Sequence, residues 1–297
     1  MSLPPPLPPH RDPGDAWVEA PDGSRYWGRF GAAGLLAHDE ARGVLMQHRA
    51  DWSHHGGTWG IPGGARHTAE HAIAGALRES AEEAGVPAAA VLPRALHVLD
   101  RQVWTYTTVV ASVHEPFDPV AGDAESLELA WIPVDRVERL PLHPGFAASW
   151  PMLRATIGVR PTIVVDAANV VGSVPDGWWK DRAGAASRLL ARLAALASAG
   201  VPAAALGLPL TTWLPEIVAV TEGRARAAPD VPGVRVIRAP GEGDDAIAAE
   251  ARARASRGDH VVVVTGDRGL RARVAGFADT RGANWILELL GDEPAQA

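Results

Sequence analysis

The sequence contains no cysteine, and no uninterrupted apolar run in it approaches the roughly 20 residues that cross a bilayer. The absence of cysteine excludes a disulfide framework, thiolate zinc sites and cysteine nucleophiles. Residues 1–15 lack the charged start and the apolar core of a signal peptide. These absences predict a cytoplasmic protein that has no membrane partner and whose chemistry is carried by groups other than thiols.

Lysine is nearly absent as well, since all but one of the 28 basic residues are arginine and Lys180 is the exception. We interpret this bias as a property of the coding sequence and not as affinity for nucleic acid. Apolar residues make up 47% of the chain and charged residues 21%, which is typical of globular proteins. A length of 297 residues with this composition favours two domains, each with its own core.

Local composition divides the chain into three segments. Prolines crowd the stretch from Leu3 to Pro9, where each proline lacks a backbone donor and fixes φ. We therefore predict that residues 1–24 form a proline-rich disordered tail. The pattern of predicted strands and helices changes near residue 158. This change places a first domain at residues 25–157 and a second at residues 158–297.

The formal net charge of −7 belongs entirely to the first half of the chain. Residues 1–157 hold 12 basic and 19 acidic residues, whereas residues 158–297 hold 16 of each. An acidic balance argues against nonspecific nucleic-acid binding by the first half. The neutral balance of the second half leaves an RNA partner open there, and the oligomeric state is open as well.

Hydrophobic periodicity predicts a mixture of strands and helices before residue 158 and a regular alternation of the two after it. The predicted strands of the first part are Ala32–Ala37, Gly43–His48, the segment Leu96–Val113 and Leu127–Ile132, and its helices are Ala69–Ala84 and Phe146–Thr156. The predicted strands of the second part are Thr162–Val165, Ile217–Thr221, Val234–Arg238 and His260–Thr265, and its helices are Ala185–Ala199 and Asp245–Ser256. Alternating β-branched strands and helices are typical of an α/β domain with a mostly parallel sheet.

The densest set of charged residues lies on the helix predicted over Ala69–Ala84. Glu79, Glu82 and Glu83 stand at positions i, i+3 and i+4 and therefore share one face. Three neighbouring carboxylates repel one another, which favours a cation between them, and Mg²⁺ prefers a few carboxylates together with water and phosphate oxygens. Arg78 can neutralise or orient one of the carboxylates. A solvated acidic helix face is the alternative interpretation.

Two glycines precede this helix, and their freedom lets the backbone turn sharply and approach a ligand closely. Together with the charged residues they give a spacing that resembles the Nudix box, with Trp59–Pro62 similar to the segment that leads into it. The matching residues are Gly64, Glu70, Arg78, Glu79, Glu82, Glu83, Gly85 and Val86. Ser80 departs from the aliphatic residue usual at its position, a change that affects packing more than chemistry.

The resemblance implies an α/β/α sandwich with a mixed sheet that hydrolyses a nucleoside diphosphate linked to another group. It implies Mg²⁺ or Mn²⁺ held by Glu79, Glu82 and Glu83, where the metal bridges pyrophosphate oxygens and activates water. Gly63 and Gly64 would lie against the substrate. A nucleoside triphosphate, oxidised or not, and ADP-ribose are both open as substrates.

The resemblance does not identify the general base, and either Glu82 or the later loop acid Glu125 could accept the proton. A second interpretation makes the Nudix-like half a sensor that binds a nucleotide without turnover and regulates an effector or scaffold in the second half. Such sensors usually lose glutamates of the box. All three are present in this sequence, which favours an enzyme.

Contacts with the substrate are less sharply indicated. Arg49 is a candidate for binding a phosphate, and Trp59 or Trp104 is a candidate for stacking on a base. Buried aromatic residues more often belong to a core, which is the alternative for both tryptophans. His54 and His55 stand beside two glycines, and we expect them to be loop residues and not metal ligands.

Acidic residues in the second half follow strands or begin a helix. Asp166 and Asp267 each come at the end of a predicted strand, and Asp244 and Asp245 open a predicted helix. Because the carboxyl ends of parallel strands meet at one edge of a sheet, these acids can converge on one or two metal ions. Each could instead cap a helix or make a turn.

This arrangement resembles the PIN-like nucleases, especially the NYN group, over most of residues 160–290. The resemblance implies Mg²⁺ or Mn²⁺ bound by Asp166, Asp244 and Asp267 for the cleavage of RNA. It makes Asp245 a fourth acid and Asn169 an amide that orients the others. An inert scaffold or dimerisation module is the alternative for this half.

The segment from Asp176 to Arg182 carries two adjacent tryptophans and lies close in sequence to the first of these acids. Lys180, Arg182 and a stacking tryptophan could grip a nucleic-acid strand. The tryptophans could equally pack beneath the loop, and the sequence does not distinguish the two arrangements.

Overall fold

A computed structural model describes residues 12–122 and 124–291 of the chain. These residues divide into two units, the first formed by residues 12–158 with 209–211 and the second by residues 159–208 with 212–291. The proline-rich stretch from Leu3 to Pro9 lies outside the described residues. None of the helices described has both the length and the apolar character that a membrane crossing requires.

The first unit is built on strands of small and aliphatic residues. Its strands are Trp17–Glu19 (β1), Arg25–Trp27 (β2), Ala32–Asp39 (β3), Gly43–Arg49 (β4), Trp59–Gly60 (β5), Gly63–Ala65 (β6), Val91–Asp100 (β7), Thr105–Val113 (β8) and Ser126–Ile132 (β9). Its helices are Ala72–Ala84 (α1) and Pro144–Thr156 (α2), with 3₁₀ turns at Ala88–Ala90 and Val137–Arg139.

The main sheet of the first unit is mixed, as predicted. Its strands follow the order β7-β8-β3-β4-β5, with β6 paired to β3 and β9 paired to β4. The pairing of β3 with β8 is parallel and sets Leu35 opposite Val109. The pairs of β3 with β4 and β6, and of β4 with β5 and β9, are antiparallel. One parallel pair at the centre of an otherwise antiparallel sheet makes it mixed.

Helix α1 packs its small residues against the central strands. Ala76 and Ala84 are buried in one cluster with Leu35, Leu45 and Val109. Alanine lets the helix approach the sheet closely, and burial of these apolar groups is the main stabilising contribution of the contact. The face that carries the glutamates is thereby turned away from this cluster, toward the chain that precedes the helix.

The bounds of both predicted helices of the first unit differ from the structure. Helix α1 begins at Ala72 and not at Ala69, because Ala69 has φ of +59° and so lies outside the helical region. Helix α2 begins at Pro144, two residues before the predicted Phe146. Proline fits the first helical position because the amide there has no partner within the helix.

The predicted disordered tail over residues 1–24 extends too far. Trp17–Glu19 is a strand that pairs antiparallel with Arg25–Trp27, and Trp17 lies opposite Trp27. The two indole rings contact edge to face with centroids 5.3 Å apart. A cross-strand aromatic pair of this kind stabilises a short hairpin, so order begins before residue 24.

The second unit alternates strands and helices. Its strands are Pro161–Asp166 (β10), Val201–Pro202 (β11), Thr212–Trp213 (β12), Glu216–Thr221 (β13), Val234–Arg238 (β14), His260–Val264 (β15) and Asp279–Arg281 (β16). Its helices are Ala167–Gly172 (α3), Arg182–Ala199 (α4), Ala203–Leu206 (α5), Gly243–Ala255 (α6), Arg268–Val274 (α7) and Ala283–Leu289 (α8), with 3₁₀ turns at Trp178–Lys180 and Gly223–Ala227.

A five-stranded sheet in the order β14-β13-β10-β15-β16 forms the core of the second unit. All four of its strand pairs are parallel, which confirms the predicted parallel sheet. Val164, Val218 and Val263 of its three central strands are buried in one cluster with Ile247 of α6. The carboxyl ends of β10, β13 and β15 therefore lie side by side at one edge of the sheet.

Candidate active site

Helix α1 displays its acidic residues beside the short strand β6. The helix ends at Gly85, whose φ of +64° lets its amide donate to the carbonyl of Ala81 and the next amide, of Val86, donate to the carbonyl of Ser80. This ending fixes the last turn of the helix, where Glu82 and Glu83 lie. The predicted grouping of acidic residues on one helix is thus placed on a rigid element.

Arg78 is the centre of the charged network on this helix. Its Nε and Nη2 donate to the two carboxylate oxygens of Glu70 at 2.9 and 3.0 Å, and Nη2 also donates to the carbonyl of Ala65 at 2.8 Å. Its Nη1 donates to Glu79 at 2.7 Å and to Glu82 at 3.1 Å. The sequence suggested that Arg78 orients one carboxylate, but it contacts three.

The pairing with Arg78 holds Glu70 in its ionised form. The hydrogen bonds from Arg78 lower the pKa of Glu70 to about 2, and the backbone amide of His67 donates to the same carboxylate at 2.9 Å. The carboxylates in turn raise the pKa of Arg78, so the guanidinium stays charged. Glu70 and Arg78 therefore form a fixed pair that orients the side chains around it.

The Gly63–Gly64 segment lies directly against the carboxylates. The amide of Gly63 donates to a carboxylate oxygen of the buried Glu83 at 2.9 Å. A Cβ atom at Gly64 would lie 2.5 Å from a carboxylate oxygen of Glu79, and one at Gly63 would lie 2.4 Å from the Cα of Gly34. Gly63 is therefore required by close packing against the backbone of β3, whereas a side chain at Gly64 would displace the carboxylate of Glu79.

The environments of the three glutamates differ. Burial raises the pKa of Glu79, and the nearby charge of Glu82 acts in the same direction against the opposite effect of Arg78. Glu82 has 59% of its side chain exposed and reaches solvent. Two enclosed carboxylates and one exposed carboxylate, with a helix face in common, suit a hard divalent cation with open positions for water and phosphate oxygens. The residues present thus fit Mg²⁺ or Mn²⁺.

A cavity of about 680 Å³ opens beside this segment within the first unit. Gly63, Gly64, Arg49 and Glu125, four of the residues predicted to act on substrate, line it. Its volume is within the range of pockets that enclose small-molecule ligands. The geometry therefore brings these four residues together around one space next to the carboxylates.

The two candidate stacking tryptophans have different positions. Trp104 lines the cavity, whereas the buried Trp59 stacks on His48 with ring centroids 4.8 Å apart and planes 4° apart. The backbone of Trp59 pairs with β4, and this turns its ring onto the histidine of that strand. Its position corrects the prediction that Trp59 stacks on a base, because its ring is already covered.

The N-terminal hairpin supplies an aromatic wall that the sequence reasoning missed. Trp17, Tyr26 and Trp27 line the cavity together with Trp104. Tyr26 stacks on Trp104 with centroids 4.8 Å apart, and Trp104 donates its indole N–H to the carbonyl of Trp27 at 3.0 Å. The alternation of aromatic residues in this segment was the available signal, but residues 1–24 were predicted to be disordered.

The predicted loop histidines are joined by a third from a distant part of the chain. His54, His55 and His143 line the cavity, and each offers a ring nitrogen within 4.8 Å of the others. Burial and the neighbouring cations lower the pKa of His143 to about 4 and also lower the pKa of His54. No local pattern connects His143 with the earlier pair, so only the fold reveals the group.

Acidic residues of the second unit meet at the carboxyl edge of its parallel sheet. Asp166 accepts hydrogen bonds from the amide of Asn169 at 3.0 Å and from the buried hydroxyl of Thr265 at 2.8 Å. Burial raises the pKa of Asp166, and the charges of Glu222 and Asp267 add to this effect. These mutual effects show that strands β10, β13 and β15 deliver acids to a common region.

Asp244 belongs to this group, and Asp245 does not. Burial raises the pKa of Asp244, with further contributions from Asp267 and Asp166. Asp245 pairs with Arg273 at 2.7 Å and has 91% of its side chain exposed. The two residues are neighbours on a helix, so their side chains point in different directions. The prediction of Asp245 as a metal ligand is corrected here.

Glu222, and not Asp245, is the fourth acidic residue near Asp166, Asp244 and Asp267. It follows β13 directly and accepts a hydrogen bond from the amide of Gly243 at 2.6 Å. The strand-end rule that selected Asp166 applies equally to Glu222, so the signal was present in the sequence. Asn169 accepts a hydrogen bond from the amide of Gly266 at 2.8 Å, which fits the predicted orienting role of its amide.

The segment from Asp176 to Arg182 in the second unit has one half-buried and one exposed tryptophan, so each predicted arrangement fits one of them. Arg182 lies over the half-buried ring of Trp178 at 5.3 Å, whereas Trp179 is exposed. A separate cavity of about 610 Å³, lined by Asn169, Gly266 and Asn284 among others, opens at the same edge as Asp166. The geometry thus offers a cleft and an exposed aromatic residue on this unit.

Comparison with known proteins gives matches to the first half of the chain. A family model described as the NUDIX domain matches residues 28–155. A Mycobacterium tuberculosis protein named "Putative 8-oxo-dGTP diphosphatase 3" is 50% identical over 161 residues, which cover 51% of this chain and 74% of that protein. A nucleoside triphosphate pyrophosphatase/Nudix hydrolase fusion protein of Bifidobacterium longum is 41% identical over 161 residues, covering 52% of this chain and 33% of that protein.

Several solved structures are similar to somewhat less than half of the chain, and one of them has a high sequence identity to it. It is the crystal structure of a Nudix hydrolase from M. smegmatis, with 48% sequence identity and a TM-score of 0.45. The similarity covers 48% of this chain and 95% of that one.

Proposed function

The chain belongs to the Nudix family and is a hydrolase of nucleoside phosphates, and from this premise we propose that its substrate is an oxidised purine nucleoside triphosphate of the 8-oxo-dGTP class. The cavity carries the proposal, because it joins Gly63 and Gly64, which lie against carboxylates of α1, to an aromatic wall. The name of the Mycobacterium tuberculosis relative supports the same substrate class. Water attack on a phosphoanhydride bond would then yield the nucleoside monophosphate and pyrophosphate.

Glu79, Glu82 and Glu83 are proposed to hold Mg²⁺ or Mn²⁺. The metal, when bound, supplies Lewis acidity at the pyrophosphate oxygens. Arg78 positions two of these glutamates through its hydrogen bonds, and the amide of Gly63 fixes the third. Preorganised carboxylates avoid the cost of rearrangement when charge develops on the phosphate oxygens.

Glu82 is the proposed general base. Its exposure leaves the carboxylate accessible to water, and Arg78 donates a hydrogen bond to it at 3.1 Å. Glu125 lines the same cavity and is the second candidate for this role.

Hydrolysis of a nucleotide panel tests the proposal. We expect the full chain with Mg²⁺ to release pyrophosphate from 8-oxo-dGTP faster than from dGTP, and to act less on ADP-ribose. Glu82→Gln should lower kcat by about 10²-fold or more, since removal of a general base has that effect. Glu128→Gln, at an exposed position of β9, is the matched control and should be unchanged.

Two results would count against the proposal. Equal activity of Glu82→Gln and the wild type, combined with loss in Glu125→Gln, would transfer the role of base to Glu125. Tight binding of a nucleotide that calorimetry detects and that is recovered intact would instead identify a sensor.

The second unit is proposed to be a metal-dependent ribonuclease of the PIN-like type. The convergence of Asp166, Asp244, Asp267 and Glu222 at one sheet edge supports this proposal, because burial and mutual repulsion favour a cation among them. When bound, Mg²⁺ or Mn²⁺ would stabilise charge on a phosphodiester.

Labelled single-stranded RNA incubated with the full chain and Mn²⁺ tests the second activity. Cleavage is expected for the wild type and for Asp230→Asn, whose position is exposed, but not for Asp166→Asn. The same cleavage rate in Asp166→Asn and the wild type, or no cleavage by any of the three, would favour a scaffold.

A further inference from the structure

Three histidines and an arginine gather on one wall of the cavity in the first unit. The rings of His54 and His55 have centroids 4.2 Å apart, and those of His55 and His143 have centroids 4.7 Å apart. Arg49 donates its Nε–H to the carbonyl of His54 at 3.2 Å. The residues come from β4, the loop after it and the start of α2, so the fold and not the local sequence assembles them.

The hydrogen bonding of His143 decides which ligand the group can take. Nδ1 of His143 accepts the backbone N–H of Gly145 at 3.1 Å. With that nitrogen acting as acceptor, the proton of a neutral ring is on Nε2, which is then a donor. A metal ion needs a free lone pair on a ring nitrogen. In this arrangement His143 has no free lone pair unless its contact with Gly145 breaks.

The charge of Arg49 also disfavours a metal ion. Its guanidinium is always protonated, and it adds, with the neighbouring histidines, to the effect of burial that lowers the pKa of both His54 and His143. A cation placed among these groups would be repelled by Arg49. An anion would be attracted by the guanidinium and would accept hydrogen bonds from the imidazole N–H groups.

We infer that Arg49, His54, His55 and His143 form a subsite that binds phosphate oxygens of the nucleotide at a distance from the carboxylates of α1. The inference rests on the proposed function, since it gives a place to the phosphate chain of the proposed substrate. Gly63 and Gly64 line the same cavity and contact carboxylates of α1. A phosphate chain held by the histidines would therefore lie in the same cavity as these two glycines. The backbone of His55 is left-handed, with φ of +57°, a conformation that few residues other than glycine adopt.

The test uses inorganic pyrophosphate as the probe and metal-free full-length protein, so that binding is measured without the proposed divalent ion. Calorimetry should show binding to the wild type that is weakened about tenfold or more in the double variant His54→Ala/His55→Ala and in His143→Asn, because charge-assisted hydrogen bonds are lost. Asparagine caps helices well, so His143→Asn keeps the start of α2 while removing the imidazole. His114→Ala, an exposed histidine outside this group, should bind like the wild type.

Two outcomes would overturn the inference. Equal pyrophosphate affinity in the wild type and both histidine variants would show that the group binds no phosphate. Stoichiometric binding of Zn²⁺ alone that is lost in the variants, without pyrophosphate binding, would show a metal site instead.

Nucleotide hydrolysis, measured separately, keeps this inference distinct from the proposed function. Hydrolysis of 8-oxo-dGTP with unchanged pyrophosphate affinity in the variants would overturn only the subsite. Pyrophosphate binding that depends on the histidines, with no nucleotide hydrolysed, would overturn only the proposed function.

Discussion

Single side chains in the first unit act through more partners than their spacing in the sequence indicates. Arg78 was predicted to balance one carboxylate, yet its planar guanidinium has enough donors to bind three glutamates and a backbone carbonyl at once. Glu70 matched the family pattern without an assigned role. In the structure it is the two-point partner that keeps Arg78 in place.

The pair of Glu70 and Arg78 predicts a pH dependence of stability. The pKa of Glu70 falls from its ordinary 4.5 to about 2 in the folded protein, so the pair stabilises the fold fully above pH 4.5. The contribution is lost as pH falls through about 2. Glu70→Gln should therefore reduce the free energy of unfolding by about 1–2 kcal/mol at pH 7, and the difference from wild type should shrink as pH falls below 4.5.

Urea denaturation at pH 7, 5, 4 and 3 measures this difference. Glu115→Gln is an exposed control and should show no comparable change. A deficit of Glu70→Gln that stays constant over this pH range would show that the charge of Glu70 is not responsible.

At the scale of elements, long periodic segments were predictable and short ones were not. The longer strands of both sheets and helices α1, α4 and α6 have enough residues for a hydrophobic pattern, whereas β5, β6 and β16 have two or three residues and were not predicted. Helices α3, α5, α7 and α8 have seven residues or fewer, which is too short for a 3.6-residue period to emerge. Their existence depends on tertiary contacts.

The same reasoning explains which site residues could be found. The glutamates of α1 share one helix, and Asp166 and Asp267 each follow a strand, so spacing alone groups them. His143 lies far along the chain from His54, and no periodicity relates the two. Such a group depends on the packing of separate loops, which the sequence pattern does not encode in a readable way.

The hairpin of β1 and β2 gives a prediction about substrate affinity. Trp17 is 43% exposed on the cavity wall; Arg25 lies over its ring at 4.9 Å, and the exposed part of the ring is proposed to stack on a base. Trp17→Ala should raise KM for 8-oxo-dGTP about tenfold and leave kcat nearly unchanged, since base stacking on an aromatic residue contributes about 1–3 kcal/mol. Steady-state kinetics over a range of substrate concentrations measure both constants.

Phe30 provides the matched control for that variant. It is 38% exposed and is not among the residues that line the cavity. Phe30→Ala should therefore keep the KM of the wild type. A fall in kcat with unchanged KM in Trp17→Ala would show that the hairpin acts on catalysis and not on affinity.

At the scale of the whole molecule, the two units differ in charge. The acidic excess belongs to the residues before 158, where the proposed metal site lies. In the second unit, acids collect at the carboxyl edge of the parallel sheet, whereas a buried ion network lies at the opposite edge. There Arg254 of α6 contacts Glu216 at the start of β13 and Glu250 at 2.7 Å.

Arg254 is expected to be essential for the stability of the second unit. Only 8% of its side chain is exposed, and its removal would leave Glu216 without its guanidinium partner and Glu250 with Arg235 alone. Arg254→Ala should lower the free energy of unfolding of the second unit by about 3 kcal/mol. Arg257→Ala, on the exposed end of the same segment, should be nearly neutral.

Denaturation followed by tryptophan fluorescence, together with nucleotide hydrolysis, measures this effect. Hydrolysis reports on the first unit and should persist in Arg254→Ala under conditions in which the second unit unfolds. Simultaneous loss of hydrolysis would show that the first unit does not hold its structure independently.

The parallel pairing of β3 with β8 has a consequence for the order of folding. Everything between these strands, including α1 and its glutamates, lies in the loop of chain that this pairing closes. Closing a long loop costs entropy before the pairing of the strands offsets it, so such contacts form slowly. The helix can form locally, but Gly63 and Tyr106, which both line the cavity, come together only when the loop has closed. Catalytic competence should therefore appear late in refolding, after most of the helical signal has returned.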